Sequence, residues 1–143
     1  MHDWRSLSHV RWECKYHIVI TPKYRKKVFF GKKRQQIGEI LRELCRQRGI
    51  GLLEGHAMAD HIHMVVSIPP KYSVSNTMGF LKGKSAVRVH RELLKHRRMA
   101  GLHFWADGYC ISTVGLDEET IRKYVREQDH RDRNLDQQEF DFE

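Results

Sequence analysis

The segment His61-Ile62-His63-Met64-Val65-Val66-Ser67-Ile68 sets two imidazoles two residues apart. Side chains on a strand alternate between its faces. His61 and His63 then share one face, and Ile62, Met64, Val66 and Ile68 form an apolar set on the other. Two imidazoles on one strand face can grip a metal ion; the same spacing also suits two solvent-facing histidines. A second set, Ile121, Tyr124, Val125 and Gln128, falls at i, i+3, i+4 and i+7 and shares one helix face. Gln128 stands out there, because a buried amide must find hydrogen-bond partners. Its carbonyl oxygen can act as a third metal ligand, with Tyr124 held beside the ion one turn earlier. The plainer reading is a tyrosine and a glutamine at the edge of a core.

These residues need elements to position them. Tyr16–Thr21 reads as a strand stopped by Pro22, and a basic stretch runs from Lys23 to Gly31. Ile37, Ile40, Leu41, Leu44 and Cys45 make one apolar stripe on a helix ending at Gly49. Ile50–Met58 predicts a second strand, Ala59-Asp60 a tight turn, and His61–Ile68 a third strand closed by Pro69-Pro70. A long helix is expected from about Ser75 to His96, and Tyr109–Val114 as a fourth strand ending at Gly115. The last helix starts at Asp117, a suitable N-cap, with Glu118 and Glu119 at the positive end of its dipole.

The order β-α-β-β-α-β-α predicts an α+β fold: a ferredoxin-like, RRM-like antiparallel sheet with helices on one face. The C-terminal helix carries the tyrosine, and the other face of the sheet is expected to be free for a ligand. Residues 1–133 form a single domain in this reading, and 134–143 an acidic, loose tail.

Charge narrows the class of partner. The 143 residues carry a net charge of +8, unevenly spread. Residues 1–100 hold 21 basic and 7 acidic side chains, whereas 101–143 hold 5 and 11. A basic body attracts polyanions, nucleic acid first among them. Cys14, Cys45 and Cys110 are odd in number and far apart, which argues against a disulfide framework or a structural zinc site. The first residues lack the apolar run of a signal peptide, and no stretch has the length of a membrane span. A cytoplasmic protein with no membrane partner is expected.

Taken together, the segments resemble a known family. His61-Ile62-His63 matches the His-hydrophobic-His motif of HUH endonucleases, and Tyr124-x-x-x-Gln128 matches the single-tyrosine motif of transposases of the insertion sequence 200/605 type. His17–Arg25, Asp60–Met64 with Ile68–Ser73, Leu81–Ser85, Phe104-Trp105 with Gly108-Tyr109, and Thr113–Gly115 also look like that family, in its order and spacing. The similarity covers residues 10 to 130.

The resemblance implies a metal-dependent DNA strand transferase acting on single-stranded DNA with hairpin ends. Tyr124 would be the nucleophile, forming a 5′-phosphotyrosine and freeing a 3′-OH that later rejoins DNA. His61, His63 and Gln128 would hold Mg²⁺ or Mn²⁺, a neutral ligand set that leaves the ion its full charge for a phosphate oxygen. A homodimer is implied in which the tyrosine helix of one subunit completes the site of the other, with Gly115 as the hinge. Lys23, Arg25, Lys82, Lys84 and Arg88 are the candidate phosphate contacts. His17, His56 and Trp105 stay outside the catalytic set.

Three other readings compete. A domesticated relative acting on palindromic repeats and a rolling-circle initiator or relaxase share the chemistry. A non-catalytic RNA-binding module on the same fold would display stacked aromatics on its open strands, where this chain has histidines.

Overall fold

A computed structural model of the chain describes residues 5–7, 10–12, 14–95 and 103–114. The expected last helix from Asp117, the hinge Gly115, Tyr124, Gln128 and the tail 134–143 lie outside these residues. The described part opens with a short antiparallel pair, β1 (Arg5–Leu7) and β2 (Val10–Trp12). Three-residue strands are too short to show a period of two, so this pair left no sequence signal.

The main sheet follows. Its parts are β3 (Lys15–Ile20), α1 (Lys32–Gln47), β4 (Gly51–Met58), β5 (His61–Ser67), α2 (Val74–Arg88) and β6 (Cys110–Thr113). The strands lie in the order β4-β5-β3-β6, all antiparallel. That is the expected ferredoxin-like arrangement, with β5 between β3 and β4.

The apolar stripe of α1 is fully buried at Ile37, Ile40, Leu41, Leu44 and Cys45. Burial pushes the Cys45 thiol up to about 12, so it acts as a small hydrophobe. The helix stops where predicted. Gly49 takes φ +65°, and the Ile50 N–H closes back on Cys45 O at 2.9 Å. Ser73 caps α2 by accepting from the Asn76 N–H at 3.0 Å. The helix expected to reach His96 ends sooner. It widens into a π-turn over Val89–Leu93, closed by the Leu94 N–H on Val89 O at 2.9 Å. This widening keeps both Val89 and Leu93 buried, and Lys95 then turns the chain with φ +53°.

The core lies between α1, α2 and one sheet face, where Ile18, Ile20, Ala57, Ile62, Met64 and Val66 are buried. Phe29, Phe104 and Trp105 close one end, with ring centroids 4.7 to 5.9 Å apart. The buried Trp105 indole donates to Ser85 Oγ at 2.8 Å, which makes it a core residue.

The opposite face, expected to be open, is only partly so. Lys15, Glu54, His56 and Ser67 on it are buried, as are Met58 and Val65. On the same face His17, Val19, His61 and His63 are half-buried, and Cys110 and Ser112 are exposed.

Lys82 ties the segment before β6 to α2. Its ammonium donates to Ala106 O and Gly108 O, both at 2.8 Å. Lys82→Met leaves both carbonyls without this donor and is expected to lower unfolding stability in urea by about 1–3 kcal/mol. Lys84, exposed on the same helix, should tolerate the same change with stability within about 0.5 kcal/mol of wild type.

Candidate active site

The β5 alternation works as the sequence predicts. Ile62, Met64 and Val66 enter the core, and His61 and His63 emerge together on the far face, with ring centroids 4.8 Å apart. Both neighbouring strands fix this register. Val19 and His56 lie opposite His63, and Met58 lies opposite His61. A bulge at Leu52/Glu54 brings Glu54 and His56 onto the same face, where the His56 Nε2 and Glu54 Oε2 are 3.0 Å apart.

Each candidate ligand has a partner at Nδ1. His61 Nδ1 lies 2.7 Å from Asp60 Oδ1. A carboxylate only accepts, so Nδ1 carries the proton and Nε2 the lone pair. Asp60 Oδ2 in turn faces the Arg25 guanidinium at 3.3 Å. Burial opposes the Asp60 charge, but the His61 hydrogen bond and the charges of His61 and Arg25 outweigh it and hold the carboxyl below its usual range. His63 Nδ1 lies 3.2 Å from His17 Nε2, the two rings parallel within 2°. With His63 donating, its Nε2 also becomes the lone-pair nitrogen.

Proton competition at His63 is weak. Burial first, then the neighbouring imidazoles of His61, His17 and His56, push His63 down to about 3. Burial also lowers His17, against the opposing pull of Glu54. Two imidazoles with their Nδ1 atoms anchored present their Nε2 atoms as a donor pair suited to a divalent cation. Among the described residues, no three His, Cys, Asp or Glu side chains form a metal-holding group. The third ligand expected from the sequence belongs to the part outside the described residues. Gln128, the expected one, lies there, as does Tyr124.

Sequence reasoning missed Asp60 and set His17 aside. Asp60 reads as an ordinary turn residue, and the His17–His63 contact crosses between strands 46 residues apart. The weak signal available was the Asp60-His61 dipeptide itself.

The basic residues divide. Lys82 spends its donors on the two carbonyls described above, and Arg88 is held by Glu92 and Glu43 at 2.8 and 3.0 Å. Both have protein partners in this structure. Lys23 and Lys84 are exposed, and Arg25 is 68% exposed while facing Asp60.

The sequence profile of the family described as Transposase IS200 like matches residues 10–128. The chain belongs to the IS200-like transposases. It is 45% identical over 137 residues to the transposase for insertion sequence element IS200 of Salmonella typhimurium, covering 93% of this chain and 88% of that one. It is 32% identical over 120 residues to the ISDra2 transposase TnpA of Deinococcus radiodurans, covering 82% of this chain and 85% of that one. In structure it is similar to a Deinococcus radiodurans R1 protein assigned as a transposase, with a TM-score of 0.68 and 25% identity over 87% of this chain and 96% of that one. It also shares the fold of a REP-associated tyrosine transposase bound to a REP hairpin, with a TM-score of 0.58 and 10% identity over 91% of this chain and 74% of that one. No helix among the described residues is long and apolar enough to cross a membrane.

The site makes a claim about its anchors. In titration calorimetry, Asp60→Ala and His17→Ala are each expected to weaken Mn²⁺ binding about 10- to 100-fold. Asp60→Asn should fall between Asp60→Ala and wild type, because the amide oxygen still accepts from Nδ1. Wild-type affinity in both alanine variants would show that the anchors do not orient the ligands.

Proposed function

We propose that this chain cleaves and rejoins single-stranded DNA at the ends of an insertion sequence, through a 5′-phosphotyrosine on Tyr124. The observation that carries the reading is the pair His61 and His63, each held at Nδ1 and set side by side on one strand face. The family supports the rest: transposition requires DNA cleavage, and Tyr124 and Gln128 stand at the end of or inside the matched segment.

His61, His63 and Gln128 would hold Mg²⁺ or Mn²⁺. When bound, the ion draws charge from a phosphate oxygen and makes the phosphorus a better electrophile. The chain's own groups do the remainder. His61 and His63 stay oriented by Asp60 and His17. The Tyr124 phenol loses its proton to solvent and its oxygen attacks the phosphorus. The bond from phosphorus to the 3′ oxygen breaks, and that oxygen takes up a proton as a 3′-OH. The phosphodiester count is unchanged, so a 3′-OH can later reverse the step and join a new strand. The partner would be single-stranded DNA with hairpin ends. The enzyme would act as a homodimer, the tyrosine helix crossing at Gly115 to the other subunit's histidines. The 45% identity to an insertion-sequence transposase favours a mobile element over a domesticated repeat-binding role.

The direct test uses 3′-end-labelled single-stranded DNA from the element's ends with Mn²⁺. Wild type should give a labelled protein band on a denaturing gel. Tyr124→Phe should give none and still bind hairpin DNA within about twofold of wild type, the phenol oxygen being the proposed nucleophile. An adduct in that variant would remove Tyr124 from the role.

Crossed sites can be tested by mixing. Tyr124→Phe and His61→Ala chains are each expected to be inactive. A mixed dimer with shared sites holds one intact site, so cleavage should return to about a quarter of wild type, half the dimers being mixed with one site each. Subunit exchange without recovered cleavage would place the helix on its own chain.

A further inference from the structure

The turn after β3 holds two unusual residues. Tyr24 has φ +61° and ψ +20°, and Arg25 has φ +48°. Neither is a glycine or asparagine, so both carry backbone strain that the surroundings must impose. The surroundings do so on three sides. The Lys23 N–H donates to Phe104 O at 2.8 Å, the Arg25 N–H to Pro22 O at 2.9 Å, and the Ala106 N–H to Thr21 O at 2.8 Å. The effect of this turn is to raise an aromatic ring out of the fold: Tyr24 is 82% exposed. Burial does not explain that placement.

Beneath Tyr24 lies a cavity of about 180 Å³. Pro22, Val28, Leu94 and Phe104 supply apolar walls, and Lys23, Lys26 and His103 supply basic or polar edges. None of its lining residues is acidic. Lys23 Nζ sits 5.7 Å from the centre of the Tyr24 ring. The cavity is at the same end of the sheet as His61. Arg25, next to Tyr24, faces Asp60, and Asp60 bonds His61.

An apolar slot with an aromatic lip and a cationic rim is suited to a flat, uncharged ring carried on an anionic chain. We propose that this cavity receives one unpaired nucleobase of the DNA strand, stacked on Tyr24, with Lys23 and Lys26 on the flanking phosphates. The proposal rests on the reading of the chain as an enzyme of single-stranded DNA, and it adds a protein contact to a base near the cleavage site. Base–aromatic stacking tolerates any base, so the pocket would hold the strand in place without choosing its sequence. The strain at Tyr24 and Arg25 then has a use: it aims the ring at the strand before the strand arrives.

The test separates bases from phosphates. Binding is measured by fluorescence anisotropy with an oligothymidylate of about twenty nucleotides and with an abasic strand of equal length, in EDTA so that nothing is cut. Wild type is expected to prefer the oligothymidylate. Tyr24→Ala should weaken that binding about tenfold and leave the abasic strand unchanged. Tyr24→Phe keeps the ring and should keep the preference. Lys26→Glu should weaken both probes. Unchanged oligothymidylate binding in Tyr24→Ala, or equal loss on both probes, would overturn the proposal. The covalent-adduct assay is independent of it. A wild type that prefers bases yet forms no adduct would retain the pocket and refute the nuclease reading; the reverse result would do the opposite.

Discussion

The strict period of two along β5 is the constraint on which the rest of the structure depends. Ile62, Met64 and Val66 must enter the helix-facing core, and this forces His61 and His63 to the other side. A slip of one residue would bury the two imidazoles and expose three core side chains. Such a slip is blocked on both edges, because β5 is paired with β3 over Lys15–Ile20 and with β4 over Gly51–Met58. The site is therefore built on the most constrained strand of the sheet, where neighbouring strands on each side hold the backbone. Precise ligand placement follows from that rigidity, as it does when functional groups sit on strands rather than loops.

A second layer of constraint comes from the chain that wraps this end of the sheet. The Val28 and Phe29 N–H groups both donate to Ala59 O, at 2.9 and 3.2 Å. They clamp the basic stretch onto the β4–β5 turn and bring Arg25 to Asp60. The carboxylate is thus held between a guanidinium and an imidazole. Phe29, fully buried against Phe104 and Trp105, anchors the clamp in the core. Core packing, a turn and the orientation of His61 form one connected chain of contacts.

The basic charge of the body is not a uniform coat. Lys82 and Arg88 serve the fold, through carbonyls of the 106–108 segment and through Glu43 and Glu92. The Arg88 guanidinium is held in its charged form first by its hydrogen bond to Glu92. Lys23, Lys26 and Lys84 remain exposed. Net charge predicted a polyanion partner, but the division between structural and available cations depends on which carbonyls and carboxylates lie within reach.

The sequence by itself determined the four strands of the main sheet, the two main helices, their ferredoxin-like order and the pairing of His61 with His63. These rest on local periodicity, on Gly49 as a helix stop, and on the apolar alternation of β5, all of which act within a few residues. The similarity of Tyr124 and Gln128 to a family motif was also legible there. Tertiary structure alone decided which side chains anchor the histidines. His17 reaches His63 only because β3 lies beside β5, and Arg25 reaches Asp60 only because the 22–30 segment folds over a turn. The burial of Lys15, Glu54 and His56 on the face expected to be open belongs to the same class. So does the early end of α2 in a π-turn. Contacts between residues distant in sequence depend on packing and register, and no local pattern of residue types encodes them.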